Sequence, residues 1–429
     1  MIDTKYQATH IDGMISPLDK GIGHLSQPTS AATELHWNLL REDISLPAAV
    51  LYEERLSHNL AWMQDFVTQY GVKLAPHGKT TMAPKLFARQ LAGGAWGITL
   101  ATAHQTQVAY AHGVRRVIMA NQLVGKQNMR IIGDLLRDPC FEFYCLVDSA
   151  ELVDQLGSFF AARGQNLKVL LELGPQGGRS GVRNATQQQA VLEAVQRWRG
   201  SIALAGVEVY EGVLKTEAEV RGFLQRAVTC LQDLVRHGHL PHCNATQPAV
   251  LTGAGSAWFD VVAEEFSGMV CDLPVAVVLR PGCYLTHDVG IYRAAQQQIL
   301  ARNPVAQKMR SALLPALQLW AYVQSIPEAD KAIVALGKRD AAFDAGLPQP
   351  AAMLRPGRDS APQATPAHWE LSGMMDQHAY LKIAAGDNIR VGDMIAFDIS
   401  HPCLTFDKWR QIPVLDAQFN VIDIVQTFF

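Results

Sequence analysis

Charge is scarce in this 429-residue chain: only 18% of the residues are charged, and 37 basic side chains are interspersed with 40 acidic ones for a net −3. No long basic run occurs, which argues against a nucleic-acid partner and against a charged membrane surface. Long apolar runs are also missing. No stretch of 18 apolar residues is present, so no transmembrane helix is expected. The start, MIDTKYQATHIDG, lacks a charged segment followed by an apolar one, so no signal peptide is expected. Paired cysteine motifs are absent as well. The seven cysteines (140, 145, 230, 243, 271, 283 and 403) are odd in number and scattered, and no C-x-x-C occurs. That pattern predicts reduced thiols and a cytoplasmic location. There are no repeats and no low-complexity tracts.

What remains is apolar: 48% of the chain, enough for a domain of about 250 residues and a smaller second one. From residue 72 short apolar runs alternate with helix-like segments. The runs are 72–76, 96–99, 115–119, 141–147, 168–173, 202–210, 249–253 and 275–281. Plausible helices between them include 83–92, 104–112, 150–163, 184–199 and 216–238. Eight strands joined by crossovers predict an α/β fold, a (β/α)8 TIM-type barrel, with an open doubly wound sheet as the alternative. A further strand-helix unit at 48–67 precedes the first run, and its helix could cover the side where the last helix is missing. Beyond residue 290 a helix-like stretch (294–303) gives way to short strands at 317–326, 331–336, 394–400 and 419–429, around a Pro- and Gly-rich loop at 355–366. The expected division is an N-terminal segment 1–46 that joins the β domain, a barrel over 47–290, and a C-terminal β domain over 291–429.

In such barrels chemistry sits at the C-terminal ends of the strands. Lys79 follows the first run, Arg179 the fifth, and Tyr210 ends the sixth; Gly253, Gly255 and Ser256 follow the seventh, and Arg280 and Gly282 end the eighth. Gly78-Lys79-Thr80 is not a P-loop, because Lys73 stands where its first glycine belongs. A lysine at a strand end beside His77 can instead form an imine with an aldehyde, and burial would favour the neutral amine this needs. The glycines of TGAGS would let a backbone approach an anion at the usual phosphate position, although they also suit a tight turn. Arg179 suits a carboxylate or phenolate oxygen. His401 and Cys403, two residues apart in HPC, could bind Zn²⁺ from an extended chain, with substrate, water or His378 completing the site. Each of these residues also has a plain structural reading: a turn lysine, a core tyrosine, a buried histidine and cysteine.

With PHGKTTMAP, EVYEG, TGAGS, LRPGCY, DQHAYL and HPCLTFDKW in hand, the chain from about residue 45 onwards resembles the D-serine dehydratase/D-threonine aldolase family of alanine-racemase-like, fold-type III enzymes that use pyridoxal 5′-phosphate (PLP). The resemblance implies a PLP-binding barrel followed by a β domain, as a homodimer. It implies PLP on Lys79, Tyr210 near the pyridine nitrogen, and the phosphate on Gly253, Gly255 and Ser256. The expected cofactor-binding set also includes His77, Arg179, Gly282 and Tyr284. His401 and Cys403 would bind a divalent metal, zinc in the first place, with manganese or magnesium as alternatives. One departure is visible: Lys79 is followed by Thr-Thr where many relatives carry Thr-His, which removes a possible polar contact near the lysine.

The activity implied is conversion of a D-3-hydroxy amino acid to a 2-keto acid and ammonia. Lys79 would take the α-proton, PLP would absorb the charge, and the metal would activate the β-hydroxyl. D-serine, D-threonine and 3-hydroxyaspartate are all compatible substrates. The alternatives are a D-threonine-type aldolase, an amino acid racemase, and a PLP carrier or sensor without catalysis. His-x-Cys rather than His-x-Asp favours the dehydratase.

Overall fold

Strands buried on both faces read as near-continuous apolar runs, and all eight runs seen in the sequence are strands of one parallel sheet. The structure is a computed structural model that describes residues 14–16, 18–25, 29 and 32–429. Part of the expected segment 1–46 therefore lies outside the described residues. In chain order the first strands are β1 (Ala48–Tyr52), β2 (Lys73–Leu74), β3 (Ile98–Leu100), β4 (Arg116–Gln122), β5 (Glu142–Val147), β6 (Leu167–Leu173), β7 (Ile202–Val209), β8 (Ala249–Gly253) and β9 (Val275–Leu279). Strands β2 to β9 pair in the order β2-β9-β8-β7-β6-β5-β4-β3, and a parallel bridge from His77 to Thr99 joins the two ends into a barrel. Ala75, Ile118, Leu146, Leu170, Ala205, Val250 and Val278 meet in its interior.

Helices fill the crossovers, and their starts follow from short polar side chains. Thr102, Ser149, Asn184 and Thr216 each accept a hydrogen bond from a backbone N–H of the first turn that follows, and Thr216 forms a capping box with Glu219. The helix Lys126–Leu135 was not among those named from sequence; its cap is Gly125, which offers no side-chain signal. The helix expected at 294–303 is present as Ile291–Arg302, and the helix of the extra unit, Glu53–Tyr70, packs on the barrel beside helix Phe259–Ser267. There Trp62 and Phe66 meet Phe259 of helix Phe259–Ser267 edge-on, at 6.1 and 5.1 Å between ring centroids. Among the described residues no helix is long and apolar enough to cross a membrane.

The strand of that unit corrects the expected division. β1, counted within 47–290, lies in the second sheet, antiparallel to β10 (Leu317–Glu328) and parallel to Gln411–Leu415. The physical reason is that β2 to β9 already close the barrel, so the fully buried AAVLY strand needs partners elsewhere. The second sheet also contains Gln349–Leu354, Met394–Asp398 and Val421–Gln426, and three further strands extend it from β10. Ile15, Ile22, Trp37, Leu39 and Ile44 pack on it with Val50, Trp320 and Met394, so the described part of the N-terminal segment belongs to this core.

One glycine fixes the barrel's shape. β7 bulges at Ala205, where pairing with β6 shifts from Leu204 to Gly206, and Gly206 has φ +152° with its missing Cβ only 1.9 Å from the Val250 carbonyl oxygen. Gly206→Ala is expected to destabilise the protein by about 3 kcal/mol, read as a lower denaturant midpoint.

Candidate active site

The inward-facing alternation that builds the apolar plug changes character at the C-terminal ends of the strands. Two residues beyond Leu170 comes Glu172, and two beyond Val278 comes Arg280. A buried carboxylate or guanidinium at such a position must find a partner. Arg280 pairs through Nη2 with Glu208 of β7 and donates to the Val209 carbonyl at 2.9 Å. Glu172 accepts from Ser180 Oγ at 2.6 Å and from Gln122. Burial and the nearby Glu208 push Glu172 up to about 7. Burial also pushes Glu208 up, against the opposing pull of Arg280.

Of these groups, Glu208 and Arg280 line a cavity of about 490 Å³ between the barrel rim and the second domain. His77, Lys79, Arg179, Tyr210, Gly255, Ser256 and Gly282 line it, and so do His401 and Cys403. Residues assigned from sequence to distant parts of the chain therefore share one space. Lys79 sits on the short turn Gly78–Thr80 directly after β2, exposed to the cavity, with no hydrogen bond or ion pair on its amine among the described residues. Its side chain is exposed rather than buried, although its neighbours Gly78 and Thr80 are buried. His77 is different. Burial first, then Lys79 and Arg280, hold its imidazole well below the usual range, so it stays neutral. The Arg179 guanidinium lies 5.1 Å from the Tyr210 ring centroid, in the loop after β6.

Two expected cofactor residues do not line the cavity. Tyr284 is buried in the core, its hydroxyl accepting from Gln90 Nε2 at 3.2 Å. Gly253 ends β8, packed towards Val209 and Val262. The glycine loop also differs from the expected phosphate cradle. The N–H groups of Ala254 and Gly255 donate to the carboxylate of Glu211, at 3.0 and 2.7 Å. Glu211 lies in the YEG motif, and its fully buried carboxylate was not singled out from sequence. Ser256 accepts from the Cys283 N–H at 3.2 Å and keeps its own hydroxyl proton for an anion. Gly282 permits a close approach, since a Cβ there would lie 2.6 Å from Thr80 Oγ1.

The residues fit PLP. A free lysine amine faces the cavity, and two lining residues carry buried, unpartnered polar atoms, His77 Nδ1 and Arg280 Nε. Gly255 leaves Tyr210 uncovered, because a Cβ there would stand 3.1 Å from its ring.

The second donor set comes from the β domain. His401 Nδ1 is held at 2.8 Å by Asp344, which leaves Nε2 as the ring nitrogen available to Cys403 or to a metal. Cys403 Sγ lies 3.4 Å from Thr80 Oγ1 and 3.8 Å from Cys283 Sγ. The hydrogen bond with Cys283, then that with His401, lowers the Cys403 thiol to about 4. The bond with Cys403, then that with Asp344, raises His401 to about 9. Thiolate and imidazole suit a divalent ion such as zinc. His378 does not complete the set: it is exposed in the turn before strand Ala379–Lys382 and does not line the cavity. Among the described residues no three histidine, cysteine or acidic side chains already converge on one point. Tyr292 and Phe429 also line the cavity and carried no sequence signal; Leu404 and Asp407, within HPCLTFDKW, line it too but were given no role from sequence.

Comparison with known proteins agrees with this fold. Residues 52–262 match the family model "Alanine racemase, N-terminal domain", and residues 316–415 match "Putative serine dehydratase domain". A D-threonine aldolase of Arthrobacter sp. is 26% identical over 311 residues, 71% of this chain and 75% of its own. The D-threo-3-hydroxyaspartate dehydratase of Delftia sp. (strain HT23) is 27% identical over 234 residues, 53% of this chain and 60% of that one, so less than two thirds of its length is spanned. Among solved structures, a D-threonine aldolase from Filomicrobium marinum superposes with a TM-score of 0.73 at 21% identity, covering 92% of this chain and 97% of its own. The Delftia dehydratase superposes at 0.69 and 22% identity, covering 91% and 99%. That dehydratase has also been crystallised as a cysteine-to-alanine variant in a metal-free form.

Proposed function

The chain belongs to the D-serine dehydratase/D-threonine aldolase-like, fold-type III family, and from that premise we propose that it is a PLP-dependent lyase that dehydrates D-3-hydroxy amino acids to 2-keto acid and ammonia. The reading rests on one juxtaposition. Lys79 comes from the barrel and Cys403 from the β domain, yet Thr80, the neighbour of Lys79, lies 3.4 Å from the Cys403 sulfur. A base for the α-proton and donors for a metal near the β-oxygen therefore face one space.

When bound, PLP supplies an electron sink for the charge left at Cα, and a divalent metal supplies a Lewis acid for the poorly leaving β-hydroxyl. The chain's own residues do the rest. Lys79 would hold the cofactor through its amine and, when that amine is free, accept the α-proton from one face. Ser256 would donate its hydroxyl proton to an anion. Arg280, fixed by Glu208, would offer its Nε to the cofactor. Asp344 orients His401 so that Nε2 and the Cys403 thiolate would hold the metal. A single base on one face favours one enantiomer, taken as D from the relatives' names.

The test is a product assay on protein supplied with PLP and Zn²⁺. D-serine or D-threonine is expected to give 2-keto acid and ammonia with little glycine, and D-alanine, which lacks a β-hydroxyl, is expected to stay unreacted. Glycine and an aldehyde as main products would move the protein to the aldolases. Racemised substrate without ammonia would make it a racemase, and bound PLP with no turnover would make it a carrier or sensor.

A further inference from the structure

Cys283 takes no part in the scheme above, yet its sulfur has an unusual position. It is buried at the turn after β9 and lines the same cavity as Lys79, His401 and Cys403. Its place is fixed by backbone contacts: its N–H donates to Ser256 Oγ at 3.2 Å, and its carbonyl accepts from the His287 N–H at 2.7 Å. The sulfur stands 3.8 Å from that of Cys403, and Thr80 Oγ1 is close to both, at 3.9 and 3.4 Å.

We propose that Cys283 is a second thiolate donor to the metal held by His401 and Cys403, so that the ion is bound by two sulfurs and one imidazole with one position left for substrate oxygen. The proposal rests on the reading of His401 and Cys403 as metal donors. Two sulfurs bound at about 2.3 Å to one tetrahedral Zn²⁺ stand about 3.8 Å apart. The two cysteine sulfurs already stand at that separation, which is the spacing one ion needs to bind both. Histidine is the third donor, since Asp344 holds its Nδ1 and leaves Nε2 to bind the ion. Among the described residues the three donors do not enclose a point, so binding would have to draw His401 towards the two sulfurs. Two cysteines and one histidine around an open fourth position is an established arrangement for catalytic zinc. Cys283 releases its thiol proton, and His401 the proton it shares with Cys403, to solvent as the metal binds.

The experiment is zinc X-ray absorption on the PLP-loaded, reduced protein, alongside Zn²⁺ affinity measured by competition with a chelating dye. Wild type is expected to show two sulfur neighbours. Cys283→Ser is expected to show one and to bind Zn²⁺ at least about tenfold more weakly, with the cofactor absorbance and circular dichroism unchanged. Cys283→Ala serves as a second variant should the serine perturb folding. One sulfur neighbour in both proteins with equal affinity would overturn the proposal while leaving the His401–Cys403 reading intact. Absence of stoichiometric Zn²⁺ from wild type would overturn both. A Cys283–Cys403 disulfide in the zinc-treated protein would also overturn the proposal.

Discussion

Lys79→Ala is expected to yield a folded protein without visible cofactor absorbance, and turnover is expected to fall by at least about 10,000-fold, because covalent attachment and the base are lost together. Folding should survive for a local reason. The turn is held by backbone bonds that alanine keeps: the Thr80 N–H donates to His77 O at 3.3 Å, and the Met82 N–H donates to Gly78 O at 2.9 Å. The exposed Lys79 side chain contributes no partner to them. The nearby Lys85 cannot substitute, since its amine is tied to Asp423 at 2.5 Å and to the Ile424 carbonyl. In wild type, borohydride should abolish the absorbance band, and mass spectrometry should then find the cofactor on Lys79. An adduct on another lysine would sink the assignment.

His401→Ala and Cys403→Ala are each expected to cost about 1,000-fold in turnover while the cofactor stays bound. A Lewis acid at a poor leaving group is worth several kcal/mol, and each 1.4 kcal/mol is about tenfold in rate. The separation of effects follows from the architecture: Lys79 and Ser256 belong to the barrel, whereas His401 and Cys403 belong to the β domain. Chelation of wild type should reproduce the loss, and Zn²⁺ or Mn²⁺ should reverse it. Full activity in both variants would make the pair structural.

The barrel was legible because its strands are parallel and doubly buried, which leaves apolar runs that periodicity detects directly. Its helices were legible where Ser, Thr or Asn caps them, and Lys126–Leu135, capped by Gly125, was not named. β1 was misplaced because its sequence, AAVLY, is apolar throughout and carries no mark of which sheet receives it. Positions on the rim were legible one strand end at a time: Lys79, Arg179, Tyr210, Ser256 and Gly282 all reach the cavity. Tyr284 shows the limit, since it lies two residues beyond Gly282 yet its side chain turns into the core. Glu172, Glu208 and Glu211 could have been flagged, because an acid within or just after a buried strand must be partnered. Tyr292 and Phe429 could not, since their place at the cavity follows from how the two domains meet rather than from any local pattern.

That meeting begins with β1. Its partners lie at Leu317–Gln318 and beyond on one side and at Val414–Leu415 on the other, more than 250 residues further along the chain. During synthesis β1 therefore leaves the ribosome early and waits while the whole barrel is made, and the sheet can close only when the last strands arrive. Pairings this distant in sequence are slow to form. The barrel can assemble from neighbouring units as they emerge, but the donors at His401 and Cys403 cannot be set opposite Lys79 until translation is nearly finished. A ribosome stalled before residue 411 would carry a formed barrel with an unfinished sheet beside it, and that exposed strand edge is where aggregation of the nascent chain would start.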